Sequence, residues 1–269
     1  MIGQKNLFLQ LDKLNSLDEL SKSILICGSK GSGRHSFANE IASKFNMEFE
    51  LVNYELSLDL LNDMYALSIP KFYLIDFDDI ARNKRIDRFQ NTLLKFIEEP
   101  PVFAWILIIV DNLNSILETI KNRCQIYYIE PYSLEELKSI AELNGKNFND
   151  DILKLLKTPG NVIEKDENQI SSILSLSDLI ITSLERATPS NALSIEKKFF
   201  GDSSLDLEFF LIMFTNRLYL NYNISYNKKY FEAILLSNEL IRKLNIMNVN
   251  KIDLFENYIL RLKNILVTE

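Results

Sequence analysis

ILICGSKGSGRHS, residues Ile24 to Ser36, is the stretch on which the fold turns. A brief apolar run leads straight into a Gly-rich turn, and helical spacing follows from Ser36 to Phe45. Such a run suits a strand buried on both faces of a parallel sheet. The turn fills both glycine positions of the phosphate-loop pattern G-x-x-x-x-G-K-[ST], at Gly28 and Gly33, with Gly31 between them. Glycines there let backbone amides turn toward a phosphate, and the following helix points its N-terminus at the same place. The lysine position, however, holds Arg34, and the hydroxyl position holds His35, followed by Ser36. A planar guanidinium is a poor replacement for a compact ammonium, and an imidazole for the magnesium-bound hydroxyl. The loop geometry survives while its chemistry is damaged. A Gly-rich turn that never held a nucleotide fits the same residues.

Working outward, the strand type recurs at Phe49 to Asn53, Phe72 to Phe77, Trp105 to Asp111 and Ile126 to Ile129. Helical spacing lies between these runs, at Leu56 to Leu67 and Asp87 to Glu99. That alternation predicts a parallel α/β sheet with right-handed crossovers. Pro100 and Pro101 stop the longer helix. After Pro131 the pattern is helical only. Ser133 with Glu136 makes a capping box, and Lys157 to Gly160 breaks a second short helix. Ser171 to Leu184, Leu205 to Leu220, Lys229 to Leu244 and Lys251 to Val267 read as further helices, with Asn221 to Lys228 as a loop. The expected fold is α/β plus all-α: a P-loop sheet domain over 1–131, a small helical lid over 132–168 and a helical domain over 169–269.

Composition narrows the function. With 269 residues the chain exceeds what one core usually supports. Seven Gly and six Pro argue against a turn-rich all-β fold. Two Cys and one His leave no disulfide framework, no zinc spacing and no His-based catalytic dyad. The net charge of -7 argues against a uniformly basic nucleic-acid coat, though not against a local basic patch. The apolar run Val102 to Val110 is too short to span a membrane, and the opening MIGQKNLFLQLDKL lacks a signal-peptide layout. A cytoplasmic location is expected.

The run Phe72 to Asp79 is like a Walker B strand, whose first carboxylate organises magnesium. Asp76 stands in that place, and Phe77 stands where a catalytic Glu would follow. Asp78 and Asp79 are either displaced substitutes or caps of the next helix. Four segments then follow in order: Phe72 to Asp76; Asn91-Thr-Leu-Leu-Lys-Phe-Ile-Glu-Glu-Pro-Pro101; Trp105 to Val110; and Asn122-Arg123-Cys124. This string resembles the clamp-loader branch of the AAA+ proteins, with its A-L-L-K-x-L-E-E-P-P and S-R-C motifs. Within that branch it is most similar to the delta-prime type of subunit of bacterial DNA polymerase III, which has a ruined nucleotide site and keeps the S-R-C arginine. Ile163, in Gly160-Asn-Val-Ile163, stands where hydrolysing subunits carry a lid arginine. Asn122 replaces the Ser of S-R-C. The four-cysteine zinc module of many relatives cannot exist with Cys27 and Cys124 alone, so no zinc is expected.

The resemblance implies a non-catalytic scaffold in a ring that loads a sliding clamp onto primed DNA. Its partners would be the gamma/tau and delta subunits, the clamp and the DNA. ATP would be bound by partner subunits, with no cofactor required by this chain. Arg123 would be an arginine finger acting in trans, where from sequence alone it is an ordinary strand-edge Arg. Gly28, Gly31, Gly33, Arg34, His35, Ser36 and Asp76 would form the degenerate nucleotide site. Arg82, Lys84, Arg85 and Arg88 would contact DNA phosphates, although a solvated helix start explains that cluster equally well. Polymerase chemistry would belong to the assembly. The competing readings are an ATP-hydrolysing gamma/tau-like subunit and a P-loop scaffold unrelated to replication.

Overall fold

The computed structural model describes residues 2–52, 58–78, 86–185, 206–244 and 250–267. The chain divides into two compact units, Met1–Asn147 with Lys157–Ile163, and Phe148–Leu156 with Glu164–Glu269. The first unit contains helix α1 (Lys5–Asp12), strand β1 (Ser23–Cys27), α2 (Arg34–Lys44), β2 (Phe49–Leu51), α3 (Leu58–Tyr65), β3 (Lys71–Asp76) and α4 (Ile86–Glu98). It continues through β4 (Ala104–Val110), α5 (Glu118–Lys121), β5 (Gln125–Tyr128) and α6 (Leu134–Leu143). The strands form one parallel sheet in the order β2-β3-β4-β1-β5.

Alternation along each strand assigns the two faces. Ile24, Ile26, Leu74, Trp105, Leu107 and Ile109 join a core with Leu7 and Leu11 of α1 and with Phe37 and Ile41 of α2. Leu25, Ile75, Ile106, Ile108 and Val110 join the opposite core with Leu93, Phe96 and Ile97 of α4. All seven β4 residues are buried, as a central parallel strand covered by helices on both sides requires. The capping box of α6 forms: the Ser133 hydroxyl accepts from the Glu136 amide while Glu136 accepts from the Ser133 amide. Helix α1 had no sequence signal. It is anchored by Gln4, whose side chain donates to the Glu130 carbonyl at 2.7 Å and accepts from its amide at 2.8 Å. One amide group thus satisfies both backbone groups of a residue just past the β5 edge strand.

The second unit holds α7 (Asp150–Leu156), α9 (Glu167–Glu185), α10 (Leu207–Ser225), α11 (Lys228–Leu244) and α12 (Lys251–Val267); α8 (Pro159–Glu164), between α7 and α9 in sequence, belongs to the first unit up to Ile163. The segment Asn221 to Lys228, expected to be a loop, is mostly helix. Only Tyr226 and Asn227 separate α10 from α11, because Tyr226 adopts the left-handed conformation (φ 52) and reverses the chain at once. The Asn227 side chain then accepts from the Lys229 amide. Phe210, Phe214 and Leu218 are fully buried.

A buried polar chain ties α11 to α12. The Ser237 hydroxyl donates to the Ala233 carbonyl, so the Tyr258 hydroxyl, 2.8 Å away, must donate to Ser237 Oγ. Ser237→Ala leaves the Tyr258 hydroxyl buried without that acceptor. The expected loss is about 1–3 kcal/mol of unfolding free energy, read by chemical denaturation.

Candidate functional site

The carboxyl ends of β1, β3 and β4 meet where a doubly wound sheet carries its ligand site. The loop from Gly28 to Gly33 leaves β1 here. The Gly28 amide donates to the Val110 carbonyl, and the Ser32 amide to the Ser29 carbonyl. Gly31 (φ 79) and Gly33 (φ 96) take backbone conformations that side chains resist. Ser32 is buried, its hydroxyl without a hydrogen-bond partner among the described residues, and its carbonyl accepts from the Tyr132 hydroxyl. The loop is therefore built as a phosphate loop, with α2 starting directly from Gly33.

What fills the loop is the chain's own chemistry. Arg34, only 6% exposed, donates from Nη1 to Asp78 Oδ2 at 2.5 Å. The other Asp78 oxygen accepts from the Asp111 amide at 2.9 Å. Asp78 therefore links the start of α2 to the ends of β3 and β4. Beside it, His35 Nε2 lies 3.1 Å from Asp76 Oδ2, and Asp76 Oδ1 accepts from the Asp78 amide. Asp76 at the end of β3 and Asp78 just beyond it are thus in contact with the two residues that replace the consensus Lys and Ser/Thr. Ser36 is exposed on the first turn of α2. Asp79, Arg82, Lys84 and Arg85 lie outside the described residues, as does the side chain of Arg88.

Helix α8 approaches the loop within the same unit. The Gly160 amide donates to the Gly31 carbonyl at 2.8 Å. A Cβ on Gly160 would fall 2.7 Å from the Gly31 Cα, so only glycine permits this approach. Ile163 is half-exposed, and its carbonyl accepts from the Lys146 ammonium.

Arg123 is not part of this cluster. Register pairs Ile24 with Gln125 and Cys27 with Tyr128, so Arg123 lies level with the entry to β1, while the loop leaves its other end. Arg123 follows α5, with its guanidinium 43% exposed. One residue near it escaped the sequence reading. Gln90 of α4, only 4% exposed, accepts the Leu117 amide at 2.8 Å and fixes the start of α5. A polar residue amid the apolar positions of a helix was the available signal.

The two cysteines have no catalytic setting. Burial pushes the Cys124 thiol up to about 12 and raises Cys27 as well. Both stay protonated at neutral pH, so native protein is expected to be alkylated by iodoacetamide at pH 8 far more slowly than unfolded protein. Among the described residues no group of three His, Cys, Asp or Glu gathers as metal ligands, and no helix is long and apolar enough to cross a membrane.

A family model described as DNA polymerase III, delta subunit, matches residues 68–133, which run through β3, α4, β4, α5 and β5. The DNA polymerase III gamma subunit of Buchnera aphidicola subsp. Schizaphis graminum is 24% identical over 62% of this chain and 55% of its own length. That of Buchnera aphidicola subsp. Baizongia pistaciae is 23% identical over 68% of this chain and 56% of its own length. The chain thus spans about half the length of these curated relatives. Among solved structures, an arginine-to-alanine variant of Thermotoga maritima RuvB superposes with a TM-score of 0.51 at 20% identity, covering 97% of this chain and 88% of that one. A proline-to-glycine variant gives 0.51 at 18% identity, covering 97% and 89%. That likeness concerns the fold alone, a parallel-sheet α/β domain followed by a helical part. The matched segment and the two relatives make this chain similar, over part of its length, to subunits of DNA polymerase III.

Proposed function

We propose that this chain is a non-hydrolysing, delta-prime-like subunit of a DNA polymerase III clamp loader. In this reading it scaffolds a ring that loads a sliding clamp onto primed DNA. The observation that carries the proposal is the pairing of Arg34 with Asp78 and of His35 with Asp76. A magnesium nucleotide needs a compact cation on its phosphates and free carboxylates near the metal. Here a buried guanidinium and an imidazole occupy those carboxylates. ATP is bound and hydrolysed by gamma/tau-type partners, and Arg123 reaches a partner's site in trans. Its half-exposed guanidinium, at the opposite strand ends from the loop, fits an outward role. The sheet domain, lid and helical C-terminal region take the parts of ATPase module, lid and collar, and the basic run Arg82 to Arg88 meets DNA phosphates.

A second reading, an ATP-hydrolysing gamma-type subunit, is favoured by the names of the two Buchnera relatives. Reconstitution separates them. The chain is mixed with gamma/tau and delta subunits, clamp and primed DNA. The proposal expects clamp loading to require this chain while P-loop variants of the gamma/tau subunits abolish ATP turnover. Turnover that persists without functional gamma/tau sites favours the second reading.

A further inference from the structure

Resting on that proposed function, the geometry points to Glu98 as the positioning residue of Arg123. Glu98 is the last residue of α4, and Arg123 follows α5. Their contact places Glu98 Oε1 3.3 Å from Arg123 Nη2. A second restraint comes from Nη1, which donates to the Thr119 carbonyl at 2.9 Å. The backbone is fixed too: the Arg123 amide donates to the Ile120 carbonyl, and Ile120 is fully buried in the same core as Leu93, Phe96 and Ile97 of α4. The platform is rigid, and the carboxylate at its edge orients the one flexible part.

A guanidinium has five N–H donors in a planar fork. One of its N–H groups is donated to the Thr119 carbonyl, Nη2 stands in ion-pair contact with Glu98, and the guanidinium is 43% exposed. The pair is about half-exposed on both sides, so water screens the attraction. The carboxylate therefore does little to quench the positive charge. Its contribution is orientation: it narrows the rotamers of a long side chain before a partner's phosphate arrives. A misplacement of about 1 Å at a reacting centre costs on the order of 100-fold in rate.

The test uses the reconstituted complex with DNA-stimulated ATP hydrolysis as readout. Glu98→Ala and Glu98→Ser are read side by side, so an assembly defect in one leaves the other informative. Each is expected to lower kcat about tenfold, with KM for ATP changed less than about twofold, because ATP binds on the partner. Glu98→Gln keeps an acceptor at the same reach and is expected to recover most of the loss, which a general structural role would not predict. Added to Arg123→Ala, Glu98→Ala is expected to cause no further loss. If Arg123→Ala lowers kcat and the Glu98 variants leave it unchanged or raise it, the positioning role is overturned while the proposed function stands. If Arg123→Ala itself has no effect, the finger reading falls and the role of Glu98 falls with it.

Discussion

In the clamp-loader complex proposed for this chain, Arg123→Ala is expected to slow ATP hydrolysis at a partner's site by about 10³–10⁵-fold, the usual worth of an arginine finger. The folded chain should be little affected. Arg123 makes one half-exposed ion pair and one bond to a carbonyl, and such surface pairs contribute about 0–1 kcal/mol. The variant should therefore assemble normally, and the loss should appear in kcat. Single-turnover hydrolysis in the assembled complex measures this directly. Unchanged hydrolysis removes Arg123 from the mechanism.

Asp78→Ala carries the largest expected effect on stability. Arg34 is 6% exposed and Asp78 26% exposed, so removing the carboxylate leaves a desolvated guanidinium without its counter-ion. Breaking a buried pair from one side costs about 3–5 kcal/mol. The Asp111 amide loses its acceptor in the same step. The double variant Arg34→Met with Asp78→Leu removes both charges and should recover most of that loss, since a well-packed apolar replacement is often close to neutral. Denaturant unfolding of the three proteins decides the matter. Equal loss in the single and double variants would show that the pair is not what makes Asp78 important. The outcome bears on the proposed function as well, because that proposal rests on the same pair.

The strands were legible because each is a short apolar run between turn signals. The alternation with helices makes the sheet parallel, whereas the order that sets β4 between β3 and β1 is not contained in it. The capping box at Ser133 and the helix Lys251–Val267 were equally plain, the first by its polar pair and the second by apolar periodicity. Helix α1 was not legible. It spans two turns, buries only Leu7 and Leu11, and depends on Gln4 reaching a residue 126 positions away. The turn at Tyr226 was obscured because a tyrosine in the left-handed conformation gives no glycine signal.

At the candidate site the substitutions could be read and their consequences could not. Arg34, His35 and Asp76 stand out as departures from a pattern or matches to it. That Arg34 reaches past Asp76 to Asp78, 44 residues on, depends on how far the chain runs beyond β3 before turning. Likewise Glu98 and Arg123 belong to separate motifs, and only the packing of α5 against α4 joins them.

In the proposed function this chain leaves ATP hydrolysis to its partners. The most direct measurement is magnesium-ATP binding and turnover by the purified chain alone, with calorimetry and phosphate release read on the same sample. No ATP turnover above background and no tight magnesium-dependent binding are expected, because Arg34 and His35 already pair with Asp78 and Asp76. Tight binding accompanied by steady phosphate release, abolished by substitution of Asp76, would contradict the proposal.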